Sequence, residues 1–127
     1  MLPVRHFSAW LAASALLVIA LVIGSLGTGP NMPSLAGPDK LQHFAAYCFL
    51  AVWFGGLIAR PHYWKIFVAL ACLGLALEFL QFAMHRGRQG ELLDMVANLT
   101  GVAAGLGLGA WLTGGWALRV EAWLARS

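Results

Sequence analysis

The sequence predicts an all-α integral membrane protein, a four-transmembrane-helix bundle with both termini cytoplasmic. Three observations predict it. Of the 127 residues, 61% are hydrophobic and only 10% charged, whereas a soluble domain carries about 25% charged residues and less than about half apolar ones. Mean hydropathy is +0.77, so too little polar surface remains to cover a water-soluble globule. The apolar residues also fall into four runs, each near the roughly 20 residues that a span requires. These runs fill residues 1–127 as a single membrane domain and leave no stretch among them for a second, soluble one.

The first run, about residues 7–26 (FSAWLAASALLVIALVIGSL), follows the single cation Arg5. A signal peptide has a shorter apolar core, about 7–15 residues, and a small-x-small cleavage site. This run is longer and has no clean Ala-x-Ala, so a retained helix is expected. Residues 27–38 (GTGPNMPSLAGP) are rich in glycine and proline and read as a loop. Asp39 then stands where an N-cap belongs, ahead of a second run over about 40–59. Arg60, Pro61 and His62 interrupt the pattern, and a third run covers about 65–84. HRGRQGE (85–91) is a tight basic connection, after which a fourth run extends over about 92–118 into a short amphipathic tail with Arg119, Glu121 and Arg126.

Short loops that stay in the cytoplasm are enriched in Lys and Arg. With four spans, Arg5, Arg60, Lys65, Arg119 and Arg126 share one side, against Lys40, Arg86 and Arg88 on the other. Five against three places both termini inside. Trp10, Trp111, Trp116 and Trp123 fit an aromatic belt at that cytoplasmic face. The net charge of +3 does not point to nucleic acid, because the eight Lys and Arg form no basic run. Cys48 and Cys72 stand alone inside apolar runs and read as small packing residues.

The polar residues inside the runs are more informative. Charged groups at a helix centre cost about 2.5–3.5 kcal/mol on insertion scales and persist when partnered or facing a wet cavity. Asp39, His43 and Tyr47 step by four along the second helix, Glu78 and Gln81 by three along the third, and Asp94 and Asn98 by four along the fourth. Each set therefore forms one stripe. At about 1.5 Å of rise per residue, all lie within about 12 Å of the extracytoplasmic surface. The expectation is one shared pocket beneath that surface, capped by Arg86 and Arg88. Gly101, Gly105 and Gly109 form a different feature, a four-residue ribbon for close helix packing, against a helix of the same chain or against a membrane partner or second copy.

DKLQHFAAY (39–47), EFLQ (78–81) and RGRQGELLDMVANLTG (86–101) resemble the pattern of VanZ-like membrane proteins. That pattern runs Asp-Lys-x-x-His-x-x-x-Tyr, Glu-x-x-Gln, an arginine, then Asp-x-x-x-Asn-x-x-Gly. Carried over by position, it implies Asp39, Lys40, His43, Tyr47, Glu78, Gln81, Arg88, Asp94, Asn98 and Gly101 as family residues. Many relatives have Pro-Gly-Arg where this chain has Arg-Gly-Arg, so either Arg86 or Arg88 is the guanidinium of the pocket. The resemblance covers the second to fourth helices. It implies a bacterial cell-envelope protein of the cytoplasmic membrane, similar to proteins associated with teicoplanin resistance.

Three readings of the polar stripes stay open. In the first, Lys40, His43, Arg86 and Arg88 bind an anionic envelope lipid or lipid-linked precursor, with Asp39, Tyr47, Gln81 and Asn98 completing the ligand site. In the second, His43, Glu78 and Asp94 are catalytic, with His43 as general base and Glu78 as acid. In the third, the polar layer only holds the helices together. No cofactor is expected, and a metal set of Asp39, His43 and Asp94 is set aside.

Overall fold

The computed structural model describes residues 1–27, 39–84 and 92–126, and all regular structure among them is helical. Helix α1 spans Phe7–Gly27, α2 Asp39–Leu57, α3 Tyr63–Ala83, α4 Leu92–Leu108 and α5 Trp116–Leu124. A 3-10 turn at Arg60–His62 leads into α3, with Pro61 in its first turn, where a missing N–H costs nothing. Among the described residues, three stretches are long and apolar enough to cross a membrane: Phe7–Leu26, Arg60–Ala83 and Leu92–Thr113. This marks a membrane protein. Helix α2, at 19 residues, is slightly shorter, and Asp39, Lys40, Gln42 and His43 crowd its opening turns.

The fourth helix does not run unbroken to Leu118 as its hydropathy suggested. It widens into a π turn at Gly109–Thr113 and breaks at Gly114–Gly115. Gly115 has φ of +69°, a left-handed conformation open chiefly to glycine, and a Cβ on Gly114 would sit 2.6 Å from the Gly109 carbonyl oxygen. Hydropathy cannot see that break because Trp111, Leu112 and Trp116 are apolar on both sides of it.

The core sits on α2. Tyr47, Leu50 and Ala51 pack with Ile66 and Leu70 of α3 and Val102 of α4. Gly101 and Gly105 let α4 approach the α2 backbone: a Cβ on Gly101 would strike the Phe44 carbonyl oxygen, and one on Gly105 the Cys48 carbonyl oxygen. Gly109 continues the ribbon beneath Tyr63, whose hydroxyl donates to the Gly55 carbonyl at 2.8 Å. Of the two alternatives for the ribbon, packing within the chain is the one that these contacts fill. Helix α1 lies at the periphery, with Leu11, Leu16, Ile19 and Ile23 more than half exposed.

Contacts fix which helix ends lie together. The Leu2 amide donates to the Leu57 carbonyl at 2.8 Å, joining the N-terminus to the end of α2. Glu121 of α5 receives the Arg5 amide at 2.7 Å, the His6 amide at 2.9 Å and the Trp10 indole N–H at 2.9 Å. A carboxylate from the last helix thus satisfies donors ahead of the first, where the helix dipole favours an anion. Beside it, Trp10, Trp53 and Trp116 cluster with ring centroids 5.1–5.8 Å apart. Within this cluster Trp116 donates to the Val52 carbonyl and Trp53 to Ser14, whereas Trp111 and Trp123 are exposed.

Burial pushes the Glu121 carboxyl up, but the His6 and Arg5 amides, the Trp10 indole and the nearby His6 ring outweigh it and hold it below its ordinary 4.5. A depressed folded value contributes stability above the unfolded value that is lost as pH falls through the folded one. Tryptophan emission should therefore stay constant down to about pH 4.5 and shift only below it. Glu121→Gln should shift the emission at neutral pH, and an unaltered spectrum in that variant would count against the anchoring role.

Candidate functional site

At the opposite end of the helices the three polar stripes converge. The first turns of α2 and α4 and the last turns of α3 meet there, which follows from antiparallel neighbours joined by short connections. His43 Nδ1 lies 3.1 Å from Asn98 Oδ1. An amide oxygen only accepts, so the ring nitrogen facing it is the one that donates. One ligand atom from each of His43, Glu78 and Asp94 can be chosen so that all three lie within 4.8 Å of one another. Three helices therefore bring one titratable group each to a single point.

The environment raises the stakes of that meeting. Glu78, Asp94 and Asn98 are all buried, Asn98 to 2% exposure. Two like charges closer than 4.8 Å repel by at least about 3 kcal/mol at an effective dielectric near 20. Such a pair requires compensating positive charge, whether a proton, an imidazolium, a guanidinium or a cation. Asp94 also lies in the first turn of α4, whose dipole favours an anion.

Tyr47 is 2% exposed, within electrostatic reach of Glu78, and its hydroxyl has no hydrogen-bond partner among the described residues. The floor beneath it is Gly74 of α3. A methyl group there would meet the Tyr47 hydroxyl and Asn98 Nδ2 at 3.2 Å each. Sequence reasoning passed over Gly74, although it stands four residues before Glu78 and so shares its helix face.

The other expected site residues divide. Gln81 turns to α1, donating to the Ser25 carbonyl at 2.8 Å. Lys40 is exposed at the start of α2. Arg86, Arg88 and the side chain of Asp39 lie outside the described residues. Comparison of the chain with protein-family models, with curated proteins and with solved structures returns no match.

Proposed function

We propose that this chain is a multi-pass protein of the bacterial cytoplasmic membrane, VanZ-like in its motifs, with α2 as a fourth span and both termini in the cytoplasm. Its polar centre then lies in the outer half of the bilayer, where it binds or modifies an anionic envelope lipid or lipid-linked precursor. One observation carries this reading: His43, Glu78 and Asp94 come from three helices to within 4.8 Å, with His43 oriented by Asn98. Interhelical hydrogen bonds in membranes are worth only about 0.6 kcal/mol on average. A titratable cluster is thus a poor way to hold helices together and a good way to hold a ligand.

Arg86 and Arg88 belong to the connection between the α3 end, which carries Glu78, and the α4 start, which carries Asp94. Guanidinium forks suit phosphate oxygens, and the N-termini of α2 and α4 face the same way. For modification of the headgroup, His43 serves as the general base. The bundle-holding reading is favoured at Gln81, whose bond to Ser25 joins α1 to α3.

Mass spectrometry of lipids retained by the purified protein tests the proposal. Wild-type protein should retain an anionic phosphate-bearing lipid, and Arg86→Ala with Arg88→Ala should lose most of it. His43→Ala should bind but not convert a lipid that the wild type turns over. Identical lipid content in wild type and the double arginine variant would overturn the reading.

A further inference from the structure

The acidic pair poses a difficulty for any anionic ligand. A phosphate brought towards Glu78 and Asp94 meets two carboxylates of its own sign unless positive charge stands between them. We infer that His43, Glu78 and Asp94 form a binding site for a divalent first-row cation, Zn²⁺ or Mn²⁺. The inference does not depend on the lipid reading, since it concerns this chain's own donors.

Three features support it. The ligand atoms gather within 4.8 Å of one another, a span that small side-chain rotations close to the spacing of ligands around one ion. The donor set is one imidazole and two carboxylates, which suits borderline and hard divalent ions. His43 is also oriented as a metal-binding histidine usually is, with one ring nitrogen 3.1 Å from a fixed neighbour, the Asn98 carbonyl oxygen.

A second, independent observation points to a ligand at the same place. The Tyr47 hydroxyl is almost fully buried, lacks a hydrogen-bond partner among the described residues, and shares the space above Gly74 with the Asn98 amide. A buried hydroxyl without a partner costs free energy. A cation carrying a water or a phosphate gives that hydroxyl a partner, the water as donor or the phosphate oxygen as acceptor. The sequence offered Asp39, His43 and Asp94 as a weak metal set; the three-dimensional set instead draws Glu78 from α3. A cation on the His43 ring takes the lone pair that proton transfer would use, so ion-loaded protein presents a headgroup to the metal rather than to a base.

The experiment uses full-length protein in detergent, stripped with chelator and titrated with Zn²⁺ by calorimetry and with Mn²⁺ by electron paramagnetic resonance. Binding of one ion per chain is expected, weakened about 100-fold in Glu78→Gln and in His43→Ala, and about 10-fold or more in Asn98→Ala. His62→Ala, at the exposed turn before α3, should bind as the wild type does. Helical circular dichroism verifies that each variant is folded, and Glu78→Gln keeps the side-chain shape should His43→Ala fail to fold. Wild-type protein that takes up no ion, or folded Glu78→Gln with undiminished affinity, would overturn the inference. Lipid retention measured on the stripped protein separates the two proposals: an ion without lipid, or lipid without an ion, sinks one and spares the other.

Discussion

Gly105→Ala should destabilise the protein by about 1–3 kcal/mol, the usual cost of overpacking, and Gly105→Leu should abolish the fold. A single Cβ at this position would overlap the Cys48 carbonyl oxygen and stand 2.7 Å from the Ala51 Cβ. Neither neighbour is the free end of a flexible side chain; both belong to the buried face of α2, so relief requires α4 to move away. Gly101 meets the same helix one turn earlier, at Phe44. Against a total stability of about 5–15 kcal/mol, losing both contacts leaves little in reserve. Gly107 is the internal control. A Cβ there meets nothing within 4 Å, and alanine in a helix is better than glycine by about 0.5–1 kcal/mol. Thermal melts followed by circular dichroism should move in opposite directions for Gly105→Ala and Gly107→Ala. Equal melting temperatures would mean that α2 and α4 are not held this closely.

The contrast between those glycines shows what a sequence of this kind reveals. The four-residue repeat of Gly101, Gly105 and Gly109 is visible in one dimension, but which helix fills it is not, because close backbone approach leaves no mark on the partner's side chains. Helical class and the polar stripes were legible for a similar reason: a polar residue within an apolar run has few explanations, and helical spacing assigns it a face. The meeting of His43, Glu78 and Asp94 followed from matching depths. Gln81 shows the limit of that logic, since depth and spacing put it beside Glu78 while its amide reaches the Ser25 carbonyl. A backbone acceptor on a neighbouring helix is invisible to side-chain patterns.

Glu121 was passed over because its partners are the amides of Arg5 and His6, more than a hundred residues away. Any carboxylate on an amphipathic tail looks solvent-facing until the helix N-terminus it caps is known. The break at Gly114–Gly115 is legible afterwards as two consecutive glycines, but hydropathy averages across it. Chemistry inside apolar runs could be read from sequence, then, and the backbone groups that receive it could not.

Replacing Asn98 with leucine should separate the two roles of the polar layer. As mere adhesive, the His43–Asn98 bond is worth about 0.6 kcal/mol and at most about 1.7 kcal/mol, as for other interhelical bonds in membranes. The near-isosteric change leaves the His43 Nδ1–H without its acceptor, a penalty of about 1–3 kcal/mol, so folded protein should still be recovered. As a positioning residue, Asn98 fixes which nitrogen of His43 is basic and where the ring points. Losing such a partner costs about 10–100-fold in affinity or activity. Nitrogen-15 spectra of labelled histidine should show the protonated Nδ1 form in the wild type and a mixture of tautomers in Asn98→Leu. Asn98→Asp, which restores an acceptor at the same place, should recover the wild-type tautomer while adding a third carboxylate to the cluster. If the His43 resonances are the same in wild type and Asn98→Leu, the imidazole is oriented by something else, and the centre loses the group that aims it.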